Sequence, residues 1–382
     1  MEPVAIIGSG LAGYTLAREV RKLDSQLPLR LITADDGSAY SKPMLSNALS
    51  KGKTAAQLAS TTAAQMSSQL DARVDTQTRV LAIDPAKRCL TTTQGELRYS
   101  RLVLALGADP IKLDLGGDAA DAVMSINDLD DYARFRTTLQ SGPHVAILGA
   151  GLIGCEFAND LIGSGHRVTV IDPGTHPLGR LLPADCGADL QRALDAAGVT
   201  WRFGTTVERV ERQNPGYRLT LADGSRLSAD HVLSAVGLRP RTTLAENAGL
   251  ACNRGIQVDR TLATSDPTIF ASGDCAEVDG LILPFVMPLM HAARALAKTL
   301  CGQPTEVRYP AMPVVVKTPA CPIVVAPPAV GTEGYWHLET RQAGHTCAKF
   351  LGDEQQLLGF ALTGKAVADK QKLTRQLPPT LA

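Results

Sequence analysis

The chain has 382 residues, with 38 Lys and Arg balanced by 38 Asp and Glu, 45% hydrophobic residues and only 4% aromatic ones. That length suits two or three domains with a core large enough to need no staple, while zero net charge and few aromatics argue against a broad nucleic-acid face. No run approaches about 18 apolar residues, so no membrane insertion is expected, and the start Met-Glu-Pro lacks the basic stretch of a secretion signal.

Val4–Ile7 reads as a short strand, followed at once by Gly8-Ser9-Gly10-Leu11-Ala12-Gly13. A helical pattern follows, with Leu16, Ala17, Val20 and Leu23 on one face, and then a second strand, Leu29–Thr33. Extended segments come next at Arg79–Ile83 and Leu102–Leu106, the latter running into Gly107-Ala108-Asp109-Pro110 as a crossover. The opening pattern then returns: strand Val145–Leu148, Gly149-Ala150-Gly151-Leu152-Ile153-Gly154, a helix through Glu156, Phe157 and Leu161, and strand Arg167–Ile171 closed by Asp172-Pro173-Gly174. Strands Arg218–Leu221 and Val232–Val236 lead to a second crossover, Gly237-Leu238-Arg239-Pro240. Thr268–Ala271 is a strand before the turn Ser272-Gly273-Asp274, Met287–Leu300 is helical, and from Pro313 the chain becomes Val- and Pro-rich. The expected fold class is α/β, with two Rossmann-like dinucleotide-binding domains plus a small C-terminal α+β domain. The predicted boundaries are 1–108 with 237–312, 109–236, and 313–382.

One G-x-G-x-x-G alone is a weak signal; two, each between a strand and a helix of a βαβ unit, are a strong one. The first glycine permits the tight turn, the second lets backbone approach a pyrophosphate, and the third allows close helix–strand packing. The helix N-terminus then offers unpaired N–H groups and partial positive charge to the phosphates. Asp172, ending the second strand of the second unit, suits ribose hydroxyls and would repel a 2′-phosphate, so NADH is expected over NADPH. In the first unit the strand ends Thr33-Ala34-Asp35-Asp36. Thr33 and Ala34 are the expected ribose and adenine contacts, with Asp35 able to reach by a loop shift.

The two glycine motifs, Leu104-Ala105-Leu106-Gly107-Ala108, Ala235-Val236-Gly237-Leu238-Arg239-Pro240 and Ile269-Phe270-Ala271-Ser272-Gly273-Asp274-Cys275-Ala276 occur in that order. Together they resemble the FAD- and NAD(P)-dependent pyridine nucleotide-disulfide oxidoreductase superfamily over nearly the whole chain. The resemblance implies that Gly8 to Gly13 bind FAD, that Gly149, Gly151 and Gly154 bind the nicotinamide nucleotide, and that Asp274 meets the flavin's ribityl chain.

The departure from that superfamily is as informative. Its disulfide reductases carry redox cysteines soon after the first βαβ unit, where this chain reads Tyr40-Ser41-Lys42-Pro43-Met44-Leu45-Ser46. The eight cysteines, Cys89, Cys155, Cys186, Cys252, Cys275, Cys301, Cys321 and Cys347, form no C-x-x-C pair. A thiol relay has no residue to run on, no metal site is expected, and scattered reduced thiols fit a cytoplasmic protein.

The segment from Tyr40, together with Gly151-Leu152-Ile153-Gly154-Cys155-Glu156, Leu283-Pro284-Phe285-Val286-Met287-Pro288 and Val315-Val316-Lys317-Thr318-Pro319, resembles the rubredoxin reductase and flavorubredoxin reductase branch. The branch implies an enzyme that takes electrons from NADH through FAD to rubredoxin or a similar small iron carrier, for instance for alkane hydroxylation. The resemblance also implies that Lys42 and Glu156 are the catalytic residues, lying by the flavin and nicotinamide, and we expect the two to pair. It sets the Val80 backbone against adenine. Val286 precedes the helix facing the flavin's pyrimidine end, and Lys317 is either a cation beside the flavin or an edge-strand lysine reaching solvent. Basic groups at His291, Arg294, Lys298, Lys365, Lys370, Lys372 and Arg375 are either a steering patch for an acidic carrier or plain solvated faces. A ferredoxin reductase and a signalling flavoprotein related to apoptosis-inducing factor stay open as alternatives.

Overall fold

The computed structural model describes residues 2–139, 143–342 and 344–382. Among these, a parallel sheet holds Ile269–Ala271, Arg101–Leu104, Val4–Ile7, Leu29–Ile32 and Arg73–Asp75 side by side. A second parallel sheet holds Val199–Phe203, Arg167–Asp172, His144–Leu148 and His231–Ser234. Val4, Ala5, Ile6 and Ile7 are all buried. A parallel strand is covered on both faces, which is why these strands read as unbroken apolar runs.

The two units share one plan. Each βαβ start is followed by a three-stranded antiparallel meander, Val80–Asp84, Cys89–Thr92 and Gly95–Arg98 in the first, Val207–Arg212, Tyr217–Leu221 and Arg226–Ala229 in the second. A return strand then rejoins the parallel sheet beside the opening strand. The first-unit helix, Leu11–Leu23, buries Leu16, Ala17 and Val20. Leu23, expected on the same face, is 51% exposed in the last turn.

The predicted crossovers pair with one another. Ala108–Pro110 and Leu238–Pro240 form a two-stranded antiparallel ribbon, with Arg239 opposite Asp109. From 314 on, five antiparallel strands follow in the order Val314–Val316, Ile323–Ala326, Leu357–Thr363, His345–Leu351 and Tyr335–Gln342, with a short helix at Lys370–Thr374. Among the described residues no helix is long and apolar enough to cross a membrane.

One hydrophobic cluster fills the first unit. Another joins three parts of the chain: Leu45, Leu49 and Leu58 from the first unit, Phe157 and Leu161 from the second, and Val316, Ile323 and Val325 from the C-terminal sheet. The helix Leu152–Gly163 lies at that junction and is buried on nearly every side, Glu156 and Asp160 included.

Candidate functional site

Both glycine motifs have the division of labour that a bound pyrophosphate requires. Gly8 has φ +113°, and a Cβ there would stand 2.3 Å from the Ala105 carbonyl oxygen. At Gly13 a Cβ would stand 1.9 Å from the Gly8 oxygen, so this position closes helix against strand. At Gly10, between them, a Cβ would meet nothing within 4 Å. The second unit repeats the scheme: Gly149 against Ala235 oxygen at 2.8 Å, Gly154 against Gly149 oxygen at 2.0 Å, and Gly151 facing open space. The N-caps Gly10 and Gly151 carry no side-chain cap, so the first-turn N–H groups of both helices are left for a ligand. The residues present fit two dinucleotides.

The acids behind the motifs fold back onto them. Asp172 Oδ2 accepts from the Ala150 amide at 2.7 Å and Oδ1 from Gly174 at 2.7 Å. In the first unit Asp35 Oδ1 accepts from the Thr33 hydroxyl at 2.5 Å, from Gly37 at 2.9 Å and from Ser9 Oγ at 3.3 Å. Thr33 is 6% exposed and its hydroxyl is spent on this network, while Ala34 is exposed. Asp35 thus folds back on its own motif by hydrogen bonds of the kind that Asp172 makes in the second unit. Leu11 and Ala12 open the first helix. Val80 opens the first meander, half-buried and opposite Thr92.

The turn that carries Asp274 comes close to the first motif at Gly273. Gly273, at φ +81°, leaves room for Ala12, whose Cβ would lie 2.7 Å from any Cβ added there. Burial holds the Asp274 carboxyl above its ordinary range, and the nearby Lys42 ammonium pulls the other way. Ser272 Oγ, next to it, is buried with no hydrogen-bond partner among the described residues. Cys275 has the surroundings of a small buried apolar residue: it is fully buried, donates to the Leu104 carbonyl at 3.3 Å, and burial pushes its thiol up to about 11. All eight cysteines are free, and among the described residues no group of His, Cys, Asp or Glu is placed to hold a metal.

The expected Lys42–Glu156 pair does not form. Lys42 Nζ donates to Asn127 Oδ1 at 2.6 Å. Burial lowers the Lys42 ammonium's pKa, with Asp274 the strongest opposing influence. Glu156, 2% exposed, takes Lys317 instead: Oε2 accepts from Lys317 Nζ at 3.1 Å and from Ser46 Oγ at 2.5 Å, and Oε1 from the Lys317 backbone at 2.9 Å. Lys317 Nζ also donates to the Pro43 carbonyl. The reason is geometric. The Lys42–Asn47 turn lies along the helix Leu152–Gly163 and turns Ser46 to it, while Lys42 starts the turn and points toward Asn127. The charge among valines at Lys317 has found its carboxylate.

Asp160, one helical turn beyond Glu156, accepts from Leu49 N at 2.8 Å, Ser50 N at 3.0 Å and Ser50 Oγ at 2.5 Å. Sequence reasoning missed it, although the i, i+4 spacing from Glu156 put both acids on one face. It also missed Asn127, for which no local signal exists. The helix Val286–Leu300 begins without a side-chain cap, with Val286 and Met287 39% and 49% exposed at its start and Arg294 and Lys298 exposed further along.

With two dinucleotide cradles and eight cysteines that form no disulfide, the chain defines a two-nucleotide oxidoreductase. Residues 2–297 match the model of the pyridine nucleotide-disulphide oxidoreductase family, and the chain belongs to that family. Residues 306–377 match the rubredoxin binding C-terminal domain. The chain is 50% identical to the rubredoxin-NAD(+) reductase of Alcanivorax borkumensis, over 99% of both chains. It is 41% identical to a nitric oxide reductase FlRd-NAD(+) reductase of Aeromonas salmonicida, over 98% of this chain and 96% of that one. Among solved structures it superposes on putidaredoxin reductase in covalent complex with putidaredoxin with a TM-score of 0.89, at 27% identity, covering 99% of this chain and 94% of that one.

Proposed function

We propose that the chain is an NADH-dependent reductase that passes electrons through FAD to rubredoxin. The observation that carries this reading is a match to a rubredoxin-binding C-terminal domain attached to two nucleotide cradles whose nearest thiols, Cys155 and Cys275, are unpaired and buried. FAD, when bound, supplies the chemistry that the polypeptide lacks: it accepts a hydride's two electrons and releases them one at a time.

The chain's own residues bind, orient and tune. Gly10 and the first helix's free N–H groups take the FAD pyrophosphate, and Gly151 and the second helix's take that of NADH. Asp172 favours a free ribose over a phosphorylated one. Lys42 and the N-terminus at Val286 bring positive charge toward the flavin, where it stabilises the charge gained on reduction. Glu156 and Lys317 are positioning residues that lock the nicotinamide-side helix to the Lys42–Asn47 turn and the C-terminal sheet. The division into 1–108 with 237–312 for FAD, 109–236 for NAD and 313–382 for the carrier follows from this assignment, and a cytoplasmic setting is consistent with eight free thiols.

Flavorubredoxin is the second acceptor to weigh, favoured by the 41% identical relative. The test is NADH-coupled reduction of rubredoxin, flavorubredoxin and a ferredoxin by the FAD-loaded protein, before and after thiol alkylation. Rubredoxin is expected to be reduced fastest, with no loss on alkylation. A faster ferredoxin, or activity abolished by alkylation, overturns the proposal. Reduction that slows as salt rises is expected if Arg294 and Lys298 steer the carrier.

A further inference from the structure

We propose that Asn127 is a positioning residue for the flavin-side lysine: it holds the Lys42 ammonium in place without neutralising it. Lys42 Nζ donates to Asn127 Oδ1 at 2.6 Å. Asn127 Nδ2 donates to the Ala108 carbonyl at 3.0 Å, and its backbone N–H to Asp131 Oδ2 at 2.9 Å. The amide has only one workable orientation. Flipped, it would turn its NH₂ toward the ammonium and its oxygen toward a carbonyl oxygen. Asn127 is 8% exposed, so each of these bonds replaces water that cannot enter.

Three separated segments meet here: the turn at Lys42, the crossover strand at Ala108, and the chain just before the helix Leu129–Thr138. Around the ammonium, Asp274, Asp128 and Asp109 attract and Arg241 repels, while burial works against its charge more than any of them. An amide accepts the lysine's hydrogen bond and leaves the positive charge intact. A carboxylate at the same distance would cancel most of it. The sequence has therefore put a neutral acceptor where it keeps a cation electrostatically active.

The inference rests on the proposal that Lys42 faces FAD, and the experiment separates the two. The midpoint potential of bound FAD is measured in the wild type, Asn127→Leu, Asn127→Asp, Lys42→Met and the double variant Lys42→Met with Asn127→Leu. Asn127→Leu and Asn127→Asp should each shift the flavin equilibrium about tenfold toward the oxidised form, about 30 mV for a two-electron couple. In the Lys42→Met background Asn127→Leu should add nothing. An unchanged potential in both Asn127 variants, or an equal shift with and without Lys42, overturns the role of Asn127. An unchanged potential in Lys42→Met instead removes Lys42 from the flavin. If Asn127→Leu fails to fold, the isosteric Asn127→Asp decides: an unchanged potential in it overturns the proposal.

Discussion

Glu156 and Lys317, 161 residues apart in the chain, form an ion pair with the carboxylate almost wholly buried and the ammonium one-third exposed. The pair is reinforced by the Lys317 backbone and by Ser46, so one carboxylate ties the second nucleotide unit to both the first unit and the C-terminal sheet. Hydrogen bonds to a charged group are worth about 1.5–3 kcal/mol each way of breaking them.

Glu156→Gln and Lys317→Met should each destabilise the protein by about 1.5–3 kcal/mol and slow flavin reduction by NADH about tenfold, a barrier change of about 1.4 kcal/mol. The double variant should cost less than the sum, because both substitutions break one clasp. Denaturant titration and stopped-flow reduction check both halves. Additive losses would mean that the two residues act separately.

The glycine motifs allow binding to be separated from folding. Gly13→Ala drives a methyl into the Gly8 oxygen and should lose about 3 kcal/mol or fail to fold. Gly10→Ala has open space and an ordinary φ of −67°, so its stability should stay within about 1 kcal/mol of the wild type. Its FAD affinity should nevertheless fall about tenfold or more, since the methyl stands where the pyrophosphate must approach. Fluorescence titration of the apoprotein measures this. Gly151→Ala should do the same for NADH.

The ribose role proposed for Asp172 predicts a nucleotide preference. NADH should exceed NADPH in kcat/KM by at least about tenfold, roughly 1.4 kcal/mol of discrimination, and Asp172→Ala should narrow the gap mainly by raising NADH's KM. The loss of the Ala150 and Gly174 hydrogen bonds should also cost stability. Steady-state kinetics with both nucleotides decide it, and an unchanged ratio in Asp172→Ala would remove Asp172 from the ribose.

Acidification should weaken the fold near the base of the second parallel sheet. His144, His166 and His231 are partly buried there, and burial is the chief cause that lowers each below the usual 6.5. The unfolded chain binds these protons first, so stability is fully present above about pH 6.5 and falls as pH drops through that value toward the lower folded-state values. Urea midpoints between about pH 7 and 5 should fall, and His231→Gln should flatten the slope.

Much of this architecture was legible in the residues. Strand–glycine–helix order, the apolar runs and the valine-rich C-terminal stretch located both parallel sheets and the antiparallel one, because local pattern determines them. The contacts that assemble the site were not. Lys42 and Asn127 are 85 positions apart, and nothing near either names the other. Lys317 among valines did announce a missing partner, but choosing Glu156 over Lys42's neighbourhood required knowing which way the Lys42–Asn47 turn lies on the helix. The hydrogen bonds that join Thr33 to Ser9 and Asp35 were equally out of reach, because they depend on how the loop after the strand folds back.

The ribbon between Ala108–Pro110 and Leu238–Pro240 brings the chain out of the first sheet's module and back into it at neighbouring points, about 5 Å apart for paired strands. Everything between them is therefore a segment with adjoining ends, whose removal would stretch nothing, but would strip the host of the buried partners Phe157, Leu161 and Glu156. A replacement module of different coenzyme taste would fit those two points in chain length, but it would have to bring its own equivalents of Asn127, Glu156 and Asp160 to meet the host.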